Sequence, residues 1–454
     1  MLRKSKGTHL QAFILNSKAN ILTIFPHQKF NVLNYLLFAV YLILLCWLLL
    51  RMPFIKRSGI TPKVVVALFL FKILAGIAIG WLSLHYYGTG NDYWDVNAEA
   101  WNEYQLLIRD PVKYFTNIFS SDYPGGYSGI FSSFDSFWND LKGNIIIKLV
   151  SVFNIFSRGD YYVNSLFFNF LVFFGHIALY RLFIKIYPGK EKLVIIGCFL
   201  LPSTLYFSSG IHKDGMVFLM LAILLYCMYE WLHQNQLTKK RLLLIYISLL
   251  LLFLIRHFIF IALVPALIAW IISVKFKKSA LLTFTIVYMV TGILFFTISS
   301  LNNKINPLEI ITQKQTEYLN LPKSETQINL SPLSANFKSF AANAPEAYNH
   351  LLLRPYLWEL PVKSLLLLNI ELVVYQLLFL IFLFFRRRGM AESNRQFIYF
   401  AIFFTFTVFL LIGYIVPNLG SIVRYRSLYL PLIITPLLCL IDWKKLTGWL
   451  KIKK

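Results

Sequence analysis

The chain has 454 residues, of which 58% are hydrophobic and only 14% charged, too little polar surface to wrap an ordinary soluble globule. A formal net charge of +24 would suit a nucleic-acid binder, but Lys and Arg sit in short clusters between apolar runs, so no nucleic-acid partner is implied. Cys46, Cys198, Cys227 and Cys439 all fall inside apolar runs, where a thiol acts as a small hydrophobe, and point to neither a disulfide nor a zinc site.

Residues 1–31 are polar and mildly amphipathic and lack a short apolar stretch with a small-residue cleavage site, so no removable signal peptide is expected. Apolar stretches of spanning length then recur at about 32–50, 64–87, 161–186, 193–209, 215–233, 242–256, 257–274, 279–299, 364–385, 397–416 and 425–442, about eleven in all. The run 242–274 is too long for one crossing and has Arg256-His257 at its centre, which predicts a hairpin. The expected fold class is an all-α polytopic membrane protein with two long extracytoplasmic loops bearing interfacial helices.

Basic clusters fall at every second connection: Arg51/Lys56/Arg57/Lys63, Arg181/Lys185/Lys190/Lys192, Lys239/Lys240/Arg241, Lys275/Lys277/Lys278, Arg386/Arg387/Arg388/Arg395 and the tail from Lys444. The positive-inside bias puts them in the cytoplasm. The connections 88–160, 210–214, the tip at 256, 300–363 and 417–424 then face outward; Arg3, Lys4, Lys6, Lys18 and Lys29 are the misfit. The chain divides into 1–63, an amphipathic segment with the first span; 64–299, a transmembrane core including the acidic loop 88–160; 300–363, a second external loop; and 364–454, a three-span module.

Nearly half of the acidic residues lie in 88–160, including Asp92, Asp95, Glu99, Glu103, Asp110, Asp122, Asp135 and Asp140. Within it, Trp94–Ile108 is expected as a short helix and Asn144–Phe156 as a helix in the membrane interface. Asp92 and Asp95, three apart and directly after a span, would share one side of a helical turn. So placed, a carboxylate can act as general base toward an acceptor hydroxyl or bind a divalent cation such as Mg or Mn. A helix N-cap beside interfacial aromatics is the plainer role for the same pair.

The turn Ser208-Ser-Gly-Ile-His-Lys-Asp-Gly215 carries His212, Lys213 and Asp214, which suit contact with a phosphate or, more simply, a Lys213–Asp214 pair. Arg256 at the hairpin tip and Arg424-Tyr-Arg426 after Pro417-Asn-Leu-Gly420 add outward cations, for an anionic partner or for snorkelling into headgroups. Arg354-Pro-Tyr-Leu-Trp-Glu359 follows the same pattern, and Glu371, within a span, should face the bundle interior beside a Lys or Tyr or be protonated. Lys213, Arg256, Arg354, Arg424 and Arg426 all map to the side of Asp92 and Asp95, which a cavity for an anionic lipid-linked substrate explains economically. No Walker loop, dinucleotide-binding glycine motif or metal-ligating His cluster is present in the sequence.

The layout from about residue 64 resembles the GT-C superfamily of membrane glycosyltransferases, which use polyprenyl-phosphate-linked sugars. The resemblance rests on the span 64–87, the loop 88–160 with Asp92 and Asp95, the spans of 161–299 and the loop 300–363, taken in that order. Phe71-Lys72 with Gly76, the turn Ser209–Asp214, Arg354–Glu359 and Gly420–Arg426 add to it. Two features depart from the pattern: an extra span at the start, and an Asp-x-x-Asp motif where better-known members have adjacent or one-apart carboxylates.

The resemblance implies a multi-pass enzyme of the bacterial cytoplasmic (inner) membrane that faces outward. It would transfer a sugar from a polyprenyl-phosphate donor to a lipid-linked glycan or other envelope acceptor, amid membrane lipids. Asp92 or Asp95 would be the base, and His212, Lys213, Arg256, Arg354, Arg424 and Arg426 would hold the lipid phosphate; Asp214, Glu359 and Glu371 are further candidates. Two other readings stay open: a polysaccharide polymerase or ligase acting on lipid-pyrophosphate glycans, and a lipid-linked glycan transporter or flippase. The latter should show mid-membrane ionisable residues beyond Lys72 and Glu371, and internal repeats.

Overall fold

Long runs of Leu, Phe, Ile and Val, broken by Pro, Gly and short polar stretches, leave the backbone little choice but helix where water is absent. The computed structural model describes residues 32–88, 91–119, 136–301, 306–322, 324–356, 358–359, 366–387 and 392–452. The N-terminal cations, Asp122 and Asp135 lie outside them.

The helices are α1 (Val32–Arg51), α2 (Pro53–Lys56), α3 (Pro62–Tyr87), α4 (Asp92–Arg109), α5 (Pro111–Thr116), α6 (Phe137–Ser157), α7 (Tyr161–Ile186), α8 (Glu191–Phe199), α9 (Pro202–Phe207) and α10 (Lys213–Gln234). They continue as α11 (Lys239–Ile255), α12 (His257–Lys275), α13 (Ala280–Leu301), α14 (Pro307–Leu319), α15 (Phe337–Leu352), α16 (Leu366–Phe385), α17 (Glu392–Ile415), α18 (Leu419–Ser427), α19 (Leu430–Leu440) and α20 (Trp443–Ile452). The expected helices at 94–108 and 144–156 are α4 and α6.

Eight of these helices are long and apolar enough to cross a membrane, nine if the bent pair α18–α19 is one span, among the described residues. Apolar side chains cover their outer faces: Ile43 is 71% exposed on α1, Leu294 53% on α13 and Leu367 75% on α16. In water such surfaces would drive aggregation; in a bilayer they are the solvated surface. The chain is an all-α, multi-pass membrane protein.

Three of the eleven expected stretches do not form single long apolar helices. The stretch 193–209 is not one helix: α8 ends at Phe199, Leu200-Leu201 leave helical geometry, and Pro202 starts α9, so neither piece is long enough to cross. The stretch 242–256 is α11, 17 residues that begin with Lys239, Lys240 and Arg241, at the lower limit of spanning length. The stretch 425–442 crosses the 62° bend between α18 and α19. Arg256, which leaves helical geometry between α11 and α12, marks the expected hairpin.

The chain forms two compact units: 1–173 with 208–216, and 174–207 with 217–454. In the first, α4 packs along α6. Lys148 of α6 is their clasp, 2.5 Å from both Glu103 Oε2 and Tyr114 O, while the Tyr114 hydroxyl meets Ser151 Oγ at 2.8 Å. A buried amide chain backs them, with Asn164 donating to Asn97 (2.8 Å) and Asn154 (2.7 Å). In the second unit Glu230, 1% exposed on α10, accepts from both Lys185 of α7 and Arg241 of α11. Two residues read as topology signals are therefore spent partly on a buried carboxylate.

Candidate functional site

The acidic loop starts where α3 stops at Gly88. Asn91, not an aspartate, caps α4: its Oδ1 accepts from Tyr93 N–H (3.2 Å) and Trp94 N–H (3.3 Å), and its Nδ2 donates to Gly88 O (2.6 Å). Trp94 pins α4 to α3 by donating to Gly80 O at 3.0 Å while stacking on Tyr161 at 4.3 Å. With the cap supplied by its neighbour, the Asp92–Asp95 pair occupies the first turn, where the helix dipole favours negative charge. The Asp92 side chain is 62% exposed. Asp95 is half-buried with its Oδ1 lacking a hydrogen-bond partner, and burial, followed by the charge of Asp92, pushes its carboxyl up to about 6.

The second half of the site is the turn Ser208–His212. Lys72, buried in α3, supports it by donating to Ser208 Oγ (3.0 Å), Ser208 O (3.3 Å) and Ser209 Oγ (3.1 Å). Asn169 of α7 holds Ser209 O at 2.8 Å. A Cβ at Gly210 would overlap the Tyr93 ring, so only glycine lets the turn approach α4 so closely.

This approach brings His212 between two carboxylates. Its Nδ1 lies 3.0 Å from Oδ2 of Asp214, and its Nε2 lies 3.8 Å from Oδ2 of Asp92. His212 is 4% exposed and Asp214 1%, and the Tyr93 ring closes edge-on at 5.8 Å. In the tautomer that carries its proton on Nδ1, that proton goes to the buried Asp214 carboxylate and Nε2 is the basic nitrogen, facing Asp92. The pair can exchange a proton between an enclosed imidazole and a carboxylate open to an incoming hydroxyl. Lys213, partly buried, opens α10 beside them.

The remaining predicted residues belong to the second unit. The guanidinium carbons of Arg256 and Arg424 lie 4.5 Å and 5.9 Å from the centre of the Tyr425 ring, whose hydroxyl bonds Tyr318. Arg354 and Glu359 pair with each other at 2.8 Å. Arg426, 3% exposed, donates through Nη1 to Leu351 O (3.0 Å) and Arg354 O (2.6 Å). Glu371 is buried and accepts from Ser203 N–H (3.0 Å), Ser203 Oγ (3.0 Å) and the Tyr375 hydroxyl. Of the four second-unit arginines predicted to hold a phosphate, two thus gather about one tyrosine and two are engaged by Glu359 and by carbonyls.

Asn169 and the serine contacts of Lys72 escape sequence reading, since an amide inside an apolar run gives no hint of which turn it supports. Among the described residues no group of three or more His, Cys, Asp or Glu side chains is placed to hold a metal ion. No family model matches the chain, and neither a curated protein nor a solved structure matches it.

Proposed function

We propose that this protein transfers a sugar from a polyprenyl-phosphate-linked donor to a hydroxyl of a glycan or lipid acceptor at the outer face of a bacterial cytoplasmic membrane. The observation that carries the reading is the placement of Asp92. It is an exposed carboxylate in the first turn of α4, just after the spanning helix α3, and lies 3.8 Å from an imidazole whose other nitrogen meets a buried aspartate. Asp92 takes the acceptor proton as the acceptor oxygen bonds to the sugar C1. The bond from C1 to the phosphate oxygen breaks, and the lipid phosphate departs with its electron pair. His212, held by Asp214, stabilises the proton taken up by Asp92 and passes it on. Lys213 offers a positive charge at the rim for the departing phosphate. A divalent cation at Asp92 and Asp95 is a further proposal, tested by the response of turnover to added Mg or Mn.

The test is turnover by purified protein in liposomes, with labelled polyprenyl-phosphate sugars as donors and release of polyprenyl phosphate as the readout. Asp92→Asn is expected to lower the rate at least ~100-fold at unchanged folding. Full activity in Asp92→Asn, Asp95→Asn and the double variant would remove the acidic turn from the chemistry. The arginines about Tyr425 also suit a diphosphate, which favours the polymerase or ligase reading; release of polyprenyl pyrophosphate would select it.

A further inference from the structure

The last helix, α20, has the sequence Trp-Lys-Lys-Leu-Thr-Gly-Trp-Leu-Lys-Ile. At 100° per residue, Trp443, Leu446 and Trp449 fall on one side, while Lys444 and Thr447 fall on the other. The helix is too short to span and is fixed to the end of a helix that does. Asp442 N–H donates to Phe385 O (2.8 Å), Arg387 N–H donates to Leu440 O (2.9 Å), and Arg386 bridges to Ile441. The Trp449 ring lies 5.9 Å from that of Phe385, the last residue of α16, and the Trp443 indole donates to Leu438 O at 2.9 Å. These contacts hold α20 at the level where the apolar surface of α16 stops.

At that level, Arg386, Arg387, Lys444 and Lys445 are all exposed. Asp442 is the one carboxylate in α20 and its flanking turn, and it caps the helix by accepting from Lys445 N–H at 3.2 Å. Exposed cations over tryptophans at the end of a spanning helix match, in charge and in depth, the phosphate layer of a bilayer.

We propose that α20 and the end of α16 form a binding site for the headgroups of anionic phospholipids. The tryptophans lie at the acyl boundary, and Lys444, Lys445, Arg386 and Arg387 meet the lipid phosphates. The site does not depend on the transferase reading.

The full-length protein, reconstituted with a 4:1 mixture of phosphatidylcholine and phosphatidylglycerol on the order of the anionic content that creates a surface potential, is re-extracted in mild detergent. The lipids that stay bound are then counted by mass spectrometry. The parent is expected to retain phosphatidylglycerol at least about twofold above its share of the mixture. The variant Lys444→Gln/Lys445→Gln should fall back to that share. A control variant, Lys239→Gln/Lys240→Gln, removes two exposed cations from the start of α11, outside the proposed site, and should keep the enrichment. No enrichment in the parent, an unchanged ratio in the Lys444→Gln/Lys445→Gln variant, or an equal loss in the control would each overturn the proposal. Equal melting temperatures of the three proteins in phosphatidylcholine alone establish that the variants are folded.

Discussion

Two buried carboxylates, one in each compact unit, are satisfied in opposite ways. Glu371 receives a backbone N–H, the hydroxyl of the same serine and a tyrosine hydroxyl, all inside the second unit. Asp214 meets an imidazole, and the far side of that imidazole is directed at Asp92, which is 62% exposed. A carboxylate saturated by fixed donors holds structure, since moving its proton would cost every one of those bonds. One whose partner can itself gain or lose a proton is connected to the surface. This is why the proposed transfer chemistry is assigned to the first site and not the second.

The contrast would break soonest at Glu371. Glu371→Leu leaves the Ser203 N–H and the Tyr375 hydroxyl unsatisfied in an apolar setting, and is expected to destabilise the folded protein by about 3–5 kcal/mol. Glu371→Gln, which can still accept, should lose roughly half as much. Denaturation in mixed micelles measures both; a neutral Glu371→Leu would mean that the carboxylate is not what holds α9.

At the first site the expected loss is of rate, not fold. His212→Gln and Asp214→Asn should each reduce sugar transfer by ~100-fold, about 2.7 kcal/mol, while the melting temperature stays near that of the parent. Parental turnover in both, beside an inactive Asp92→Asn, would show that Asp92 works without the imidazole.

A smaller effect tests whether the second unit is as tightly built as its saturated charges suggest. Gly413 of α17 lies directly against the backbone of Ala347 on α15, with no room for a methyl group between them. Gly413→Ala should therefore cost about 1–3 kcal/mol by overpacking, read from the same denaturation curves. An unchanged midpoint would show that the two helices can separate freely.

The smallest effect concerns Asp95. Its carboxyl titrates at about 6 in the folded protein, against an ordinary value of ~3.9 in the unfolded chain. The folded state therefore holds the proton more tightly. The resulting stabilisation is full below about pH 4 and is lost as pH rises through about 6. Asp95→Asn should raise the melting temperature at pH 7.5 and leave it nearly unchanged at pH 4. Equal shifts at both values would show that the carboxyl is not raised.

Much of this was legible in the order of residues. The apolar runs give the helices, the acids after the second run give α4, and Arg256 inside a long run gives the hairpin, because each is a local statement about burial. The break at Leu200-Leu201 was not legible, since hydropathy sums over a window and an unwound pair of leucines scores as well as a helical pair. Nor was the neighbourhood of His212: residues 92, 212 and 214 meet only because Gly210 admits the Tyr93 ring and Lys72 supports the turn from another helix. Sequence spacing could place Asp214 near His212, but could not tell a phosphate contact from an imidazole between two acids.

The break before α9 bears on how the protein is made. The freed backbone N–H of Ser203 finds its acceptor in Glu371, which lies 168 positions later in the chain. A ribosome has not yet delivered that carboxylate when residues 191–207 reach the membrane. Pro202 has no N–H to donate, so the stretch is already broken there before α16 arrives. What α16 adds is the acceptor: the contact that closes the start of α9 is made late in biogenesis, and a nascent chain halted before α16 would carry the same break with the Ser203 N–H still lacking its carboxylate.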